Sequence, residues 1–350
     1  MPIQRGGSER STTFDHIFKA VPPSRSPHSD WTWRRRFSVA TVITTVLLLS
    51  WGGVVTSIGA GMAFPDWPTS LGSYNLLNPV EGWWQVPAYL AEHGHRLIAS
   101  LVGLLTVILA AWTWWEDPRA WMRKLGLGAV ALVVAQGILG GLRVLWVSLD
   151  LAMVHACVAQ IFFAVLVAMT LFVTDTWRSR NDLLPTTDAA ARLRWGSYAA
   201  AVVIYLQIVL GALLRHPGAG MSGGYTTLHV TGAFLVVGGV LGVFVVAEKH
   251  FDDLPSIRRT AWFLLGTMGL QFALGLASLL LTLYEPAGQG GVASYVVLTV
   301  AHLVVGALLF GTSIVMALLS ARRPAPPEHS GANSKKISDA PALTFAETKR

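Results

Sequence analysis

The chain has 350 residues, of which 53% are hydrophobic and only 13% charged, and it carries a formal net charge of +7. That charge share is about half that of an ordinary soluble domain, too little polar surface to cover a globule, and the mean hydropathy of +0.53 agrees. The single cysteine, Cys157, excludes an intrachain disulfide and any cysteine-based metal cluster.

Residues 1–36 are polar and read as a cytoplasmic N-terminal tail without a fold of its own. Eight stretches long and apolar enough to cross a bilayer follow, at about 37–59, 93–115, 125–146, 151–174, 195–215, 225–248, 260–283 and 295–320. The first is too long, behind too long a polar lead, for a cleaved signal peptide, and is read as retained. The loop after it, roughly 60–87, is rich in Pro and aromatic residues (Phe64, Trp67, Tyr74, Trp83, Trp84). It is either an interfacial aromatic belt or a lid over the helix ends. Span two opens with Glu92-His93-Gly94-His95-Arg96, where the spacings i, i+3 and i+4 set Glu92, His95 and Arg96 on one face. A carboxylate beside His and Arg at membrane depth is an acid–base candidate, or else an ion pair that neutralises both charges for insertion. The corresponding stretch of the second half, Thr226-Thr227-Leu228-His229, has no carboxylate. A reactive first half and a binding-only second half is the economical reading. The segment 176–194 reads as a cytoplasmic linker and 321–350 as a cytoplasmic tail.

The basic residues partition with loop parity. Seven fall in the N-terminal tail, three after span two, four after span four, three after span six and six in the C-terminal tail, which leaves three of the 26. The positive-inside rule then sets both termini in the cytoplasm and makes the +7 a topology signal, with no nucleic-acid partner expected. The three exceptions, Arg96, Arg143 and Arg215, sit at the outer ends of spans two, three and five. Each either snorkels to headgroups or meets an anionic partner.

Spans three, five and seven repeat a Gln and a Gly four apart, at Gln136/Gly140, Gln207/Gly211 and Gln271/Gly275, while span one has Gly52-Gly53 without a Gln. Each is followed by an even span with a histidine near its outer end: His95, His155, His229 and His302. The expected fold is an all-α integral membrane protein of eight transmembrane helices in two four-helix bundles, 37–175 and 195–320, each pointing two histidines inward. A lone membrane His is often a helix–helix hydrogen bond. Four in repeated register beside arginines suit haem ligation from both sides, with small neighbours for the ring and cations for the propionates. Zinc is disfavoured, because His93 and His95 point to different faces. Cys157 reads as a small buried apolar residue, and His216, next to Arg215, as an interfacial one.

These residues resemble the haem A synthase family over about 37–320. The resemblance rests on Glu92-x-x-His95-Arg96-Leu97, on Gly61-Met-Ala-Phe-Pro65-Asp66-Trp67-Pro68, on Gln136-x-x-x-Gly140-Gly-Leu-Arg143, and on single histidines in spans four, six and eight. It implies two pseudo-symmetric bundles, with His229 and His302 on a haem b iron and Arg215 beside that cofactor. It implies His95, His155, Arg96 and Arg143 around haem O, the substrate, whose methyl is oxidised to a formyl by successive O2-linked hydroxylations. Glu92 corresponds to the family's essential carboxylate, either assisting proton movement or stabilising a charged intermediate. The implied setting is the bacterial cytoplasmic membrane, with a membrane electron donor and with haem O synthase or oxidase-assembly proteins as partners; a homo-oligomer stays open. The chain departs from many bacterial members in lacking a cysteine pair in the first outer loop and in carrying His93 beside the motif. Two rival readings remain at this stage. A di-haem electron-transfer cytochrome b predicts equivalent halves and needs no carboxylate, and a repeat-built transporter favours broken helices and midplane ligands.

Overall fold

The computed structural model describes residues 27–179, 183–216, 223–284 and 292–322; the distal parts of both expected tails lie outside these. The described chain is helical: α1 (Pro27–Ser57), α2 (Pro87–Glu116), α3 (Ala120–Leu145), α4 (Leu149–Phe172), the single turn α5 (Asp175–Arg178), α6 (Asp188–Arg215), α7 (Gly223–His250), α8 (Pro255–Tyr284) and α9 (Val292–Ala321). Eight of these are long and apolar enough to cross a membrane. A helix of 30 residues, such as α2, runs about 45 Å, well beyond the roughly 30 Å hydrocarbon layer. The helices therefore extend past the apolar stretches visible in the sequence. The helix α1 starts at Pro27, ten residues ahead of the expected span, and the added turns carry Arg34, which pairs with Asp117 at 3.0 Å. The helix α2 starts at Pro87, a residue suited to the first helical turn, so Glu92 lies in its second turn instead of ahead of it.

Contacts arrange α1–α4 as a closed ring, each helix against the next and α4 against α1; α6–α9 form a second ring in the same order. The two bundles meet where α9 packs on α1 and α4, and α4 on α6. This makes α9 the most enclosed span, with 67% of its apolar window buried against 17% for α8. One core joins Val102, Leu109, Met122, Phe162 and Leu166, and the other Leu193, Ile204, Val240, Leu264 and Met316. Lipid is as apolar as these side chains, so close backbone approach has to contribute. Gly126 lies on Ala110, Gly311 on Phe163 and Gly53 on Val300.

One end of both bundles is tied by basic residues. Asp117 accepts from Arg34 (3.0 Å) and Arg119 (2.8 Å), with its side chain fully buried. Arg119 reaches on to the Phe172 carbonyl, and Arg322 donates to the Thr176 carbonyl (3.0 Å). Burial alone would raise the Asp117 carboxyl, but the hydrogen bonds and charges of Arg119 and Arg34 outweigh it and hold the group below its usual range. Both ends of the described chain thus lie at the same end of the bundles.

Candidate functional site

The four membrane histidines occupy one repeated seat. A Cβ placed on Gly52 would stand 3.1 Å from Cε1 of His95; on Gly140, 3.3 Å from His155; on Gly211, 3.3 Å from His229; on Gly275, 3.0 Å from His302. In each case the long helix before the histidine supplies a glycine on which the ring lies, and any larger residue would push the ring off it. The glutamines one turn earlier brace three of these seats. Gln136 donates to the His155 carbonyl (3.1 Å), Gln271 lies 3.2 Å from His302 Nε2, and Gln207 fills the space left open by Gly232 on α7. On α1 the equivalent position is Leu48. The glycine seat beneath each histidine is thus a fourfold repeat of helix pairs, two per bundle.

The rings of His229 and His302 face each other with centroids 6.2 Å apart and planes at 77°. Two imidazoles at that separation span one metal ion held through a nitrogen of each at about 2 Å. The Nδ1 atoms of all four histidines are buried without a protein hydrogen-bond partner. Glycine seats, the His229–His302 ring pair and unpaired ring nitrogens together fit a flat group that carries a metal between two helices. Among the described residues no cluster of three or more His, Cys, Asp or Glu gathers.

The outer end of the N-terminal bundle carries more. Glu92 is 4% exposed; its Oε1 accepts from Arg96 (2.7 Å) and its Oε2 from the Phe64 N–H (2.9 Å). The Arg96 Nη1 donates to the carbonyls of Asp66 and Thr69 and to Ser70 Oγ, and its Nη2 also donates to the Phe64 carbonyl. His93, 2% exposed, pairs with the Leu76 carbonyl (2.9 Å) and Ser70 Oγ (3.3 Å) and stacks edge-on with Trp83. Gly94 separates the two histidines because the Trp51 indole lies on it and donates to the Ala91 carbonyl, which fixes α1 to α2.

The loop held this way has its own frame. Ser70 and Ser73 exchange backbone hydrogen bonds across Leu71 and Gly72, whose φ values of 53° and 74° are those of a tight left-handed turn. The Asp66 carboxylate accepts from the N–H groups of both turn residues and from the Thr69 hydroxyl. Burial would raise the Asp66 carboxyl, but these hydrogen bonds hold it below its usual range. On the far side the Trp67 ring lies on Gly141 of α3, and Arg143 donates to the Gly61 carbonyl. The loop therefore crosses the bundle from α1 to α3 and back to α2. The aromatics of this loop divide by burial: Phe64 is fully buried, while Tyr74 is 83% exposed.

Arg215 points toward the seam between the bundles, donating to the Gly53 carbonyl (2.7 Å) and Ser57 Oγ on α1; Ser57 in turn meets Thr299 of α9 (3.2 Å). His216, just past α6, lies close enough to feel Arg143 of the other bundle. Burial and the charges of Arg215 and Arg143 push it down to about 4. Thr226 stands three residues before His229, where the first half has Glu92. The outer connections 217–222 and 285–291 lie outside the described residues. The sequence reading missed the Trp67–Gly141 contact, the roles of Asp66 and His93, and the Phe64 N–H. The only prior signals for these were the Pro-Asp-Trp-Pro string and the Gly140-Gly141 doublet.

Residues 35–229 match a family described as cytochrome oxidase assembly protein, COX15-CtaA. The chain is 30% identical to the heme A synthase of Lysinibacillus sphaericus over 51% of this chain and 57% of that protein, so the match spans little more than half of that relative's length. It is 29% identical to the heme A synthase of Symbiobacterium thermophilum (69% of this chain, 84% of that protein) and 25% identical to that of Methylobacterium nodulans (79% and 88%).

Proposed function

The chain belongs to the COX15-CtaA family of cytochrome oxidase assembly proteins, and from that premise we propose that it oxidises the methyl group of haem O to a formyl group, as a membrane oxidoreductase. The observation that carries this reading is an asymmetry: a glycine-seated histidine pair recurs in both bundles, but among the described residues a buried carboxylate stands one turn from the histidine in the first alone, with Thr226 at the matching position of the second. His229 and His302 are the residues to hold a haem b cofactor, and His95 and His155 to hold haem O. When bound, the haem groups supply the redox and O2-linked chemistry that carries the methyl through successive hydroxylations.

The chain's own residues bind, orient and exclude. The glycine seats set the ring planes of the four histidines before any ligand arrives, so little orienting entropy is left for binding. Arg143 on the substrate side and Arg215 on the cofactor side bring cations to the rim where propionates would end, while Arg96 at the same edge is bonded to Glu92 and to loop carbonyls. Each guanidinium offers five donors, so a main-chain acceptor and a carboxylate can share one. Glu92 holds an acceptor pair at the outer end of the substrate site, suited to moving a proton or to steadying positive charge. Phe64 and Trp67 close that end against water, which strengthens every electrostatic contact beneath them.

By the positive-inside rule the arginine-tied end faces the cytoplasm, with both termini, and the loop over Glu92 faces outward. A bacterial cytoplasmic membrane, a membrane electron donor, haem O synthase or oxidase-assembly partners, and self-association complete the reading. A di-haem electron carrier would use its two bundles alike and leaves Glu92 without a purpose. The test is expression with haem O available, followed by chromatography and mass analysis of the extracted haem. Hydroxylated and formyl haem are expected; their absence beside a normal haem b content contradicts the assignment.

A further inference from the structure

Arg96 is the most heavily bonded cation at the outer end, and its bonds converge on one point. Its Nη2 holds Glu92 Oε1 (2.7 Å) and the Phe64 carbonyl (3.1 Å), while Glu92 Oε2 holds the Phe64 N–H (2.9 Å). Phe64 is thus gripped through its carbonyl by Arg96 and through its N–H by Glu92, a closed circuit of three residues. The Nη1 of Arg96 takes the Asp66 (3.0 Å) and Thr69 (2.8 Å) carbonyls and Ser70 Oγ (3.3 Å), acceptors presented by the turn that Asp66 builds. No cysteine stands in this loop, so hydrogen bonds to α2 are its cross-links there.

We propose that Arg96 is a positioning residue: it locks the Glu92 carboxylate to the outer loop through Phe64, so that carboxylate and loop adopt their working geometry as one unit. Arg96 then serves the reaction through Glu92, with its two terminal nitrogens already committed to five acceptors, instead of by holding a propionate. A planar fork is required, because a lysine ammonium carries the charge but cannot bridge a carboxylate and three carbonyls at once. Arg143 and Trp67 anchor the same loop on α3 independently, so losing Arg96 unlatches one side and leaves the other attached. The inference rests on the reading that Glu92 serves a substrate in the N-terminal bundle.

The experiment uses the full-length protein with its resident haem, as wild type, Arg96→Lys, Arg96→Gln and Asp66→Ala. Haem b content reports folding, hydrogen exchange reports the Phe64 amide, and haem O titration and turnover give affinity, KM and kcat. Both Arg96 variants are expected to exchange the Phe64 amide at least tenfold faster, by roughly the loss of a local latch. Their kcat falls about 100-fold, the scale of a misplaced catalytic group, while KM for haem O changes by less than about threefold. Lysine does not rescue, and Asp66→Ala, which keeps both charges, reproduces the faster exchange and part of the kcat loss. Recovery of turnover and affinity in Arg96→Lys, with affinity lost in Arg96→Gln, would overturn the proposal in favour of a propionate contact. Unchanged Phe64 exchange in both variants would overturn it too. Full turnover in Glu92→Ala would instead sink the Glu92 reading, and the exchange data separate the two failures.

Discussion

The two bundles share a scaffold and differ in what closes it. Each seats a pair of imidazoles on glycines of the preceding helices, at Cβ distances that agree within 0.3 Å (3.0 to 3.3 Å). Among the described residues, the first alone adds a buried carboxylate, a guanidinium that collects loop carbonyls, and a loop that crosses from α1 to α3. The same helix-pair seat thus recurs in both bundles, while the described polar cluster around Glu92 belongs to the first. The seats are set by helix packing and the chemistry by a loop, so one half can differ without disturbing the other.

The comparison breaks most readily at Glu92. Replacing it by alanine is expected to lower haem O conversion about 100-fold or more, the usual scale for a lost acid–base group, with haem b content unchanged. Equal loss of haem b would mean that the bundles do not divide the work. Asp117, whose partners Arg34 and Arg119 belong to the first bundle, tests whether the two bundles unfold together. Removing one partner of a buried ion pair typically costs about 3–5 kcal/mol, so Asp117→Ala should lower the thermal midpoint of the whole protein; a shift confined to the first bundle would separate the two as independent folding units.

Glycine substitutions sharpen the contrast with smaller effects. Gly140→Ala and Gly211→Ala each bring a methyl 3.3 Å from a histidine Cε1, a crowding that costs about 1–3 kcal/mol in a tight core. The account expects Gly211→Ala to shift the resting haem spectrum and Gly140→Ala to leave it unaltered while weakening haem O binding. Identical spectra from the pair would argue for identical occupancy. Acid gives the smallest effect. Because the folded Asp66 carboxyl sits below its ordinary range, its contribution to the loop is complete above the unfolded value near ~4 and is lost as pH falls through the lower folded one. Hydrogen exchange at Leu71 and Gly72 should therefore quicken only at low pH, and Asp66→Asn should abolish that dependence.

Much of the scaffold could be read from the residues. Eight apolar stretches, a Gln-to-Gly spacing repeated three times and a histidine near the end of every second span carry their own periodicity, so helix count, pairing and inward register follow from them. The loop carries none. Its geometry depends on Arg96 meeting carbonyls about thirty residues away, and every peptide unit has a carbonyl, so no residue type marks the partner. Gly141 illustrates the same limit: beside Gly140 it looks like a second seat for a ring, yet it receives Trp67 from the loop instead of a histidine. Arg215 fitted the pattern of a rim cation, but its orientation across the seam toward Gly53 comes from tertiary packing. The helix α1 begins ahead of its apolar stretch because hydropathy marks where lipid ends, whereas backbone hydrogen bonding continues past that point and brings Arg34 to Asp117.

The division of labour is tested most directly by iron content and reduced-minus-oxidised spectra of two double variants purified without added haem O. The His229→Ala/His302→Ala variant is expected to lose its haem b, whereas His95→Ala/His155→Ala keeps the wild-type spectrum and iron content. Haem b retained in the first and lost in the second would contradict it.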